Sequence, residues 1–216
     1  MIEQALTRTA ERYRGCARFT RHYVASKLKR DPIHLALLEL AREAPFGHVI
    51  DIGCGRGQIS VALLEAGLAT SVTAMDWADA SLADLRQAGA GLPIETITRD
   101  LSVDFGLPAS DTILLIDVLY TMERKAALAL LDAAADAART RVLLRSMDVA
   151  AGWRGRFAVT IERLARPFWP HAGARVDPVP LAELAAALQA RGFVTRMAPC
   201  WGNTPFANVL VIAERG

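Results

Sequence analysis

The sequence has few cysteines, few aromatic residues and no long apolar run. Its 216 residues include three cysteines, at positions 16, 54 and 200, and aromatic residues make up 6% of the chain. Three scattered thiols without a C-x-x-C spacing argue against a disulfide framework or a structural zinc site, and they predict reduced cysteines in a cytoplasmic protein. Neither an apolar stretch of about 18 residues nor a signal-peptide pattern is present, so no membrane span or secretory signal is expected.

Charge is nearly balanced overall but unevenly distributed along the chain. Residues 1–30 hold eight basic side chains against two acidic ones, a net charge of +6. Because the whole chain is +2, the remaining 186 residues carry −4. Such a basic segment is either a solvated helical face or a docking surface for an acidic partner such as a carrier protein, an anionic membrane or a nucleic acid.

Strand and helix patterns alternate along the chain with short connections. Helices are predicted over 2–14, 19–29, 32–44, 58–68, 80–89, 123–140 and 180–193, with Asp31 as an N-cap before Pro32. Strands are predicted over 48–53, 71–77, 94–100, 112–120, 141–148, 194–200 and 208–215. This alternation predicts one α/β domain with a doubly wound, mainly parallel seven-stranded sheet. We expect a helical cap over 1–45, a core over 48–147 and a lid-like insertion over 150–175.

A glycine-rich loop, in HVIDIGCGRGQIS at 48–60, follows the first predicted strand. The dinucleotide fingerprint G-x-G-x-x-G would need a third glycine at the position of Gln58, and no G-x-x-x-x-G-K-[ST] phosphate loop is present. The segment D-I-G-C-G-R-G instead resembles motif I of the class I S-adenosylmethionine-dependent methyltransferases. By itself, such a loop could also be a structural turn in another α/β protein.

Acidic residues at the ends of the next strands extend this resemblance. Asp76 lies about 20 residues beyond the loop, where a carboxylate can accept both ribose hydroxyls of an adenosine cofactor, and Trp77 can lie against the adenine. The resemblance places Asp100 near the adenine amino group, and it places Asp117 and Tyr120 at motif IV. Open α/β sheets bind ligands at the carboxyl ends of their strands, and the glycine loop, Asp76, Asp100 and Asp117 all lie at such ends.

The resemblance implies S-adenosylmethionine as the cofactor, no metal, and a last strand that runs antiparallel beside the penultimate one. Asp51 would lie under the methionine moiety, the backbone from Gly53 to Gly57 would allow close approach of the cofactor, and Cys54 would be a small loop residue. The implied cofactor-binding residues are Asp51, Gly53, Cys54, Gly55, Gly57, Asp76, Trp77, Asp100, Leu101 and Asp117.

The motifs that the sequence does not contain exclude several classes of methyl acceptor. The position of the amide- and base-N-methylating motif [ND]-P-P-[YF] reads D-V-L-Y, and Pro199-Cys200 lies far from the place of a cytosine C5 nucleophile. The segment TMERK does not offer the acidic pair of the metal-dependent catechol type. O-, N- or C-methylation of a small molecule remains.

Substrate specificity is expected outside the common sheet. The stretch 153–173 combines aromatic residues with arginines, and it predicts a helix packed on the sheet, a lid over an apolar or aromatic substrate, or a membrane-surface helix. We expect Tyr120 to border the transferred methyl and His171 to be the general base, because histidine has the appropriate pKa.

Both ends of the chain also resemble a narrower group. RFTRHYVASKLKRDPIHLALL at 18–38 and GNTPFANVLVIAER at 202–215 are similar to small methyltransferases of bacterial aryl-polyene pigment gene clusters. That similarity implies an aromatic or polyene-type substrate, possible tethering to an acidic acyl carrier protein, and histidine where this chain has Tyr120. A non-catalytic cofactor-binding protein and an RNA or protein methyltransferase are the alternatives. Nucleic acid is not expected, because no RNA-binding module is present.

Overall fold

The structure is a computed structural model that describes residues 1–165, 178–202 and 204–216, with the backbone alone at 156, 158, 159 and 162–165. The described residues form a seven-stranded sheet in the order β3-β2-β1-β4-β5-β7-β6, mainly parallel, as the sequence predicted. The chain divides into two compact units, which comprise residues 1–100 with 110–114 and residues 101–109 with 115–216.

The first unit contains the N-terminal helices and the first strands. Its elements are α1 (Ile2–Arg12), a 3-10 turn (Tyr13–Gly15), α2 (Arg18–Arg30), α3 (Ile33–Glu43), β1 (His48–Ile52), α4 (Gln58–Glu65), β2 (Ser71–Asp76), α5 (Asp79–Ala88) and β3 (Ile94–Thr98). Asp31 accepts a hydrogen bond from the Ile33 amide at 3.2 Å, but α3 begins at Ile33 with Pro32, and not the predicted Asp31, at the N-cap. Strand β1 pairs in parallel with β2, and Ile52 lies opposite Met75. The loop after β1 therefore begins beside the end of β2.

Strand β4 (Ser110–Ile116) is assigned in part to each unit, and the other elements belong to the second. These are a 3-10 turn (Leu119–Thr121), α6 (Arg124–Ala137), β5 (Ala138–Met147), α7 (Gly152–Ala165), α8 (Leu181–Ala190), β6 (Phe193–Pro199) and β7 (Asn208–Arg215). Strand β7 pairs antiparallel with both β5 and β6, so the expected antiparallel last strand is confirmed.

Several predicted boundaries are wrong: α4 and α8, for example, each end three residues early, at Glu65 and Ala190. The fourth strand ends at Ile116 and not at Tyr120, because Asp117 turns the chain with a left-handed φ of 61°. The helix predicted to reach 140 ends at Ala137, and β5 begins three residues before the predicted start. Arg215 donates to the carbonyl oxygens of Ala135 and Ala138, which stabilises this abrupt change from helix to strand.

Candidate cofactor loop and the strand ends

The loop after β1 is built on three glycines with left-handed backbone. The φ angles of Gly53, Gly55 and Gly57 are 66°, 55° and 69°, a region that disfavours residues with a Cβ atom. The amides of residues 53 and 54 both donate to the carbonyl oxygen of Met75, and the amide of residue 57 donates to the carbonyl oxygen of residue 54. These amides are directed into the protein, which is not the arrangement of a phosphate-binding loop.

Gly55 and Gly57 are required for different reasons. A Cβ atom at Gly57 would lie 2.4 Å from the Cδ1 atom of Leu85, so this glycine allows the loop to pack against α5. A Cβ atom at Gly55 would meet nothing within 4 Å. The backbone at Gly55 therefore borders open space, which a ligand can approach closely.

The Asp76 carboxylate lies at the end of β2 and is tied to the loop. One of its oxygens accepts from the Gly55 amide and the other from the Ala78 amide, each at 2.8 Å. Only 7% of Asp76 is exposed, whereas the neighbouring Trp77 is 40% exposed. Because a carboxylate has about four acceptor positions, each oxygen can still accept a hydroxyl group.

Asp51 is a second carboxylate at this edge and is 2% exposed. The Ser60 hydroxyl donates to it at 2.6 Å. Burial raises the pKa of Asp51 to about 6, although the Ser60 hydrogen bond acts in the opposite direction and the Asp76 charge adds to the increase. Burial, together with the charges of Asp51 and Asp76, raises the pKa of Cys54 well above its ordinary value, so this thiol stays protonated and is not an activated nucleophile.

A buried side-chain oxygen at the start of α4 is also available to a ligand. Gln58 Oε1 accepts no hydrogen bond from the residues that the structure describes. Asp100, two residues beyond β3, is exposed. The first unit therefore offers carboxylate and amide oxygens beside an open backbone, an arrangement suited to a ligand with hydroxyl groups and positive charge.

In the second unit, Asp117 follows β4 and forms an ion pair with Arg145 of β5. Arg145 Nε donates to one carboxylate oxygen at 2.9 Å, and a terminal nitrogen of the guanidinium group donates to the other. Arg145 is only 2% exposed. The sequence predicts Asp117 as a cofactor-binding residue but does not predict this partner, because a charged residue inside an apolar strand pattern gives no pairing signal.

Tyr120 is buried in a small apolar cluster of the second unit. It packs with Met147, and Val149 and Phe206 lie against them. Phe206 also contacts Phe157, at 6.2 Å between ring centroids. Leu101, predicted to bind the cofactor, is buried in this unit.

An arginine near the start of α7 lies close to two tryptophan rings. The guanidinium carbon of Arg154 is 5.3 Å from the ring centroid of Trp153 and 5.6 Å from that of Trp201, and Arg154 donates to the carbonyl oxygen of Thr204. Helix α7 covers the first half of the predicted lid. His171 and the rest of that stretch lie outside the described residues.

Two negative observations concern metals and membranes. Among the residues that the structure describes, no group of three or more His, Cys, Asp or Glu side chains could hold a metal ion. No helix in this part of the chain is both long and apolar enough to cross a membrane.

Comparison with known proteins identifies a methyltransferase domain. Residues 49–141 match the sequence model of a family described as a methyltransferase domain, and no curated protein sequence matches the chain. The magnesium protoporphyrin IX methyltransferase ChlM from Synechocystis PCC 6803, solved with bound S-adenosylhomocysteine, has a TM-score of 0.68 at 20% identity over 97% of this chain and 93% of its own. The N-methyltransferase NodS from Bradyrhizobium japonicum WM9 has a TM-score of 0.65 at 14% identity over 98% of both chains.

A third similar structure is the pyocyanin biosynthetic protein PhzM, with a TM-score of 0.64 at 20% identity over 96% of this chain and 61% of its own. At these identities the similarity concerns the fold. The methyltransferase-domain match covers both the glycine loop and the strand ends described above. The domain match and the fold together indicate that the chain contains an S-adenosylmethionine-dependent methyltransferase domain.

Proposed function

We propose that this protein transfers a methyl group from S-adenosylmethionine to a small aromatic or polyene-type molecule. The observation that carries the proposal is the open backbone at Gly55 beside the Asp76 carboxylate. A ribose has two adjacent hydroxyl donors, and Asp76 keeps acceptor capacity on both oxygens. The exposed ring of Trp77 offers an apolar face to an adenine.

The charge of this edge also fits the cofactor. S-Adenosylmethionine carries positive charge on its sulfonium and ammonium groups. Asp51 and Asp76 supply negative charge, and the Gln58 Oε1 atom supplies a further buried acceptor. A phosphate-bearing cofactor would instead require positive charge or backbone N–H donors at this edge.

The reaction that we propose is an in-line displacement. The bound cofactor supplies an activated methyl group: the acceptor forms a bond to the methyl carbon while the carbon–sulfur bond breaks, its electron pair stays on sulfur, and the acceptor proton leaves to a base. The chain's own residues bind, orient and exclude water, which are the main contributions to such a transfer. Tyr120 is proposed to border the methyl group, and His171 is the proposed base.

The proposal of an aromatic acceptor rests on the second unit. Trp153 and Phe157 are exposed aromatic side chains of α7, and Phe157 contacts Phe206 beside the Tyr120 cluster. Two of the similar structures are named for magnesium protoporphyrin IX methylation and pyocyanin biosynthesis, which supports a small-molecule acceptor. Tethering of the acceptor to an acidic acyl carrier protein is the finer form of this proposal.

Calorimetric titration with S-adenosylhomocysteine tests the cofactor site. Asp76→Ala removes the charged acceptor of two proposed hydrogen bonds from the ribose, each worth about 1.5–3 kcal/mol, so affinity should fall at least about a hundredfold. Asp79→Ala is the matched control, because Asp79 is an exposed carboxylate that pairs with Arg86 on α5. Equal affinities of the two variants would remove Asp76 from the site.

Incubation of extracts with methyl-labelled S-adenosylmethionine tests the reaction. Label in a small aromatic product, identified by mass spectrometry, would support the proposal. Label found only in RNA or protein would replace it with another acceptor class. Binding without consumption of the cofactor, in extracts of cells that contain the native gene, would favour a non-catalytic binding protein.

A further inference from the structure

Arg56 lies between Gly55 and Gly57, and its side chain extends from the loop to the N-terminal helix α2. Its Nε atom donates to Thr20 Oγ1 at 3.2 Å and to Asp84 Oδ2 at 3.1 Å. Thr20 in turn donates to the same Asp84 oxygen at 2.7 Å. Arg56, Thr20 and Asp84 therefore form one hydrogen-bonded group that joins the loop, α2 and α5.

Two aromatic rings of α2 also contact the Arg56 guanidinium group. Its central carbon is 5.3 Å from the ring centroid of Phe19 and 5.1 Å from that of Tyr23, within the range of cation–π attraction. The two rings are stacked on each other at 6.2 Å, as residues four positions apart on a helix can be. Phe19 is nevertheless 69% exposed, so burial in the apolar core does not account for its position.

The backbone of Arg56 is fixed separately. The Tyr13 hydroxyl donates to the Arg56 carbonyl oxygen at 2.5 Å, from the 3-10 turn that precedes α2. Tyr13 is fully buried, and burial is the first reason that its pKa lies well above the ordinary value. The phenol therefore remains protonated and acts as a donor.

These contacts add to the backbone hydrogen bonds of the loop, which, among the residues that the structure describes, involve the amides of residues 53, 54, 55 and 57 but not that of residue 56. The three glycines of the loop have no side chains and have more backbone freedom than any other residue, so an isolated loop of this sequence would sample many conformations. Arg56 is next to Gly55, whose amide donates to Asp76. A displacement of Arg56 would be passed to both groups that the proposed cofactor site depends on.

We propose that Arg56 is a positioning residue, which fixes the glycine loop against the segment 13–23 and thereby keeps Gly55 and Asp76 in the geometry that binds the cofactor. This inference rests on the proposed function of the loop. It gives the N-terminal segment a role in cofactor affinity that does not require any of its residues to touch the cofactor.

Three variants test the inference: Arg56→Met, Tyr13→Phe and Thr20→Val. Each removes a different contact of residue 56 while keeping the size of the side chain. Arg8→Met is the matched control, because Arg8 joins helix α1 to Glu65 at the far end of α4 through a charged pair at 2.7 Å. Two measurements are made on each purified protein without substrate: the Kd of S-adenosylhomocysteine by calorimetry, and amide hydrogen exchange over residues 53–57.

We expect Arg56→Met to raise the Kd about tenfold and the two milder variants to raise it several-fold, with faster amide exchange in the loop. Arg8→Met should change neither quantity by more than twofold. Unchanged affinity in Arg56→Met would overturn the inference. Weaker binding in Arg56→Met but not in Tyr13→Phe or Thr20→Val would also overturn it, because Arg56 would then contact the ligand itself.

These results are distinct from a failure of the proposed function. If the unaltered protein does not bind S-adenosylhomocysteine, the cofactor proposal is wrong and the affinity comparison has no basis. In that case the exchange measurement still decides whether Arg56 holds the loop: equal exchange in Arg56→Met and Arg8→Met would overturn the positioning role.

Discussion

At the scale of single residues, the glycines on either side of α4 combine two constraints that substitutions can separate. Gly55, Gly57 and Gly67 all have a left-handed backbone, with φ of 55°, 69° and 68°. Only the Cβ position of Gly57 is occupied, by the buried Leu85, whereas Gly55 and Gly67 border open space. Gly67 therefore serves as a control for backbone strain alone.

Alanine substitution at these three positions should give three different results. Each variant should lose about 1–2 kcal/mol of the free energy of unfolding from the left-handed backbone. Gly57→Ala should lose about 1–3 kcal/mol more, because its Cβ overlaps the Leu85 side chain. Gly55→Ala should also bind S-adenosylhomocysteine weakly, whereas Gly67→Ala should bind it normally. Urea unfolding and calorimetry measure both quantities, and normal binding by Gly55→Ala would show that the open space there is not the cofactor's.

Asp51 should make stability depend on pH in a defined direction. Its pKa in the folded protein is about 6, above the ordinary value of 3.8, so the native state binds more protons than the unfolded state between about pH 4 and pH 6. Stability from this group is therefore present below pH 4 and is lost as the pH rises to 6, by about 3 kcal/mol in total at 1.36 kcal/mol per pKa unit.

Asp51→Asn isolates this contribution. The difference in free energy of unfolding between the variant and the unaltered protein should move in favour of the variant as the pH rises from 4 to 6 and then stay constant. Urea unfolding at several pH values measures it. A difference that does not change with pH would show that Asp51 is not a buried acid of raised pKa.

At the scale of elements, the sequence predicts the features that depend on local patterns and misses those that depend on long-range contacts. The glycine loop and the end of β2 were predicted correctly, because they follow from apolar runs and glycine positions within a few residues. The end of β4 was not, because Asp117 is held by Arg145, which is 28 residues further along the chain. The start of β5 depends on Arg215, 77 residues from Ala138. The contacts between α2 and Arg56 could not be predicted for the same reason, because no sequence pattern in either segment indicates that the two segments meet.

The Asp117–Arg145 pair should contribute strongly to the stability of the turn after β4. Asp117→Asn removes the carboxylate charge that pairs with the buried guanidinium group of Arg145, and breaking such a pair costs about 3–5 kcal/mol when both ions are buried. The side chain of Asp117 is 25% exposed, so we expect the lower end of that range.

A double-mutant cycle with Arg145→Met tests this expectation. The doubly substituted protein should lose less stability in urea than the sum of the two single losses, because the attraction between the two ions can be lost only once. Additive losses would mean that the two groups do not interact, despite their contact across the strand end.

At the scale of the whole molecule, some basic residues of the N-terminal segment form ion pairs that stabilise the fold, and others are exposed to solvent. Of the eight basic residues in the first thirty, Arg8 and Arg12 both pair with Glu65 and hold α1 against α4. Arg18, Arg21, Lys29 and Arg30 are exposed, and they make no ion pair with any residue that the structure describes. These four side chains keep open the choice between a solvated face and a docking surface for an acidic carrier.

Charge reversal on α2 tests the docking surface. Arg18→Glu with Arg21→Glu should slow methyl transfer to an aromatic acyl chain on an acyl carrier protein, mainly through the association rate. The loss should be greatest at low salt, because exposed charges are screened beyond about 8 Å at physiological ionic strength. Transfer to the same acyl group as a free N-acetylcysteamine thioester should be unchanged.

Lys125→Glu with Arg196→Glu makes the same change of net charge at exposed positions of α6 and β6, and it should affect neither substrate. If both substrates lose rate in parallel, or if the control pair is equally slow, the basic residues of α2 are a solvated face and not a docking surface.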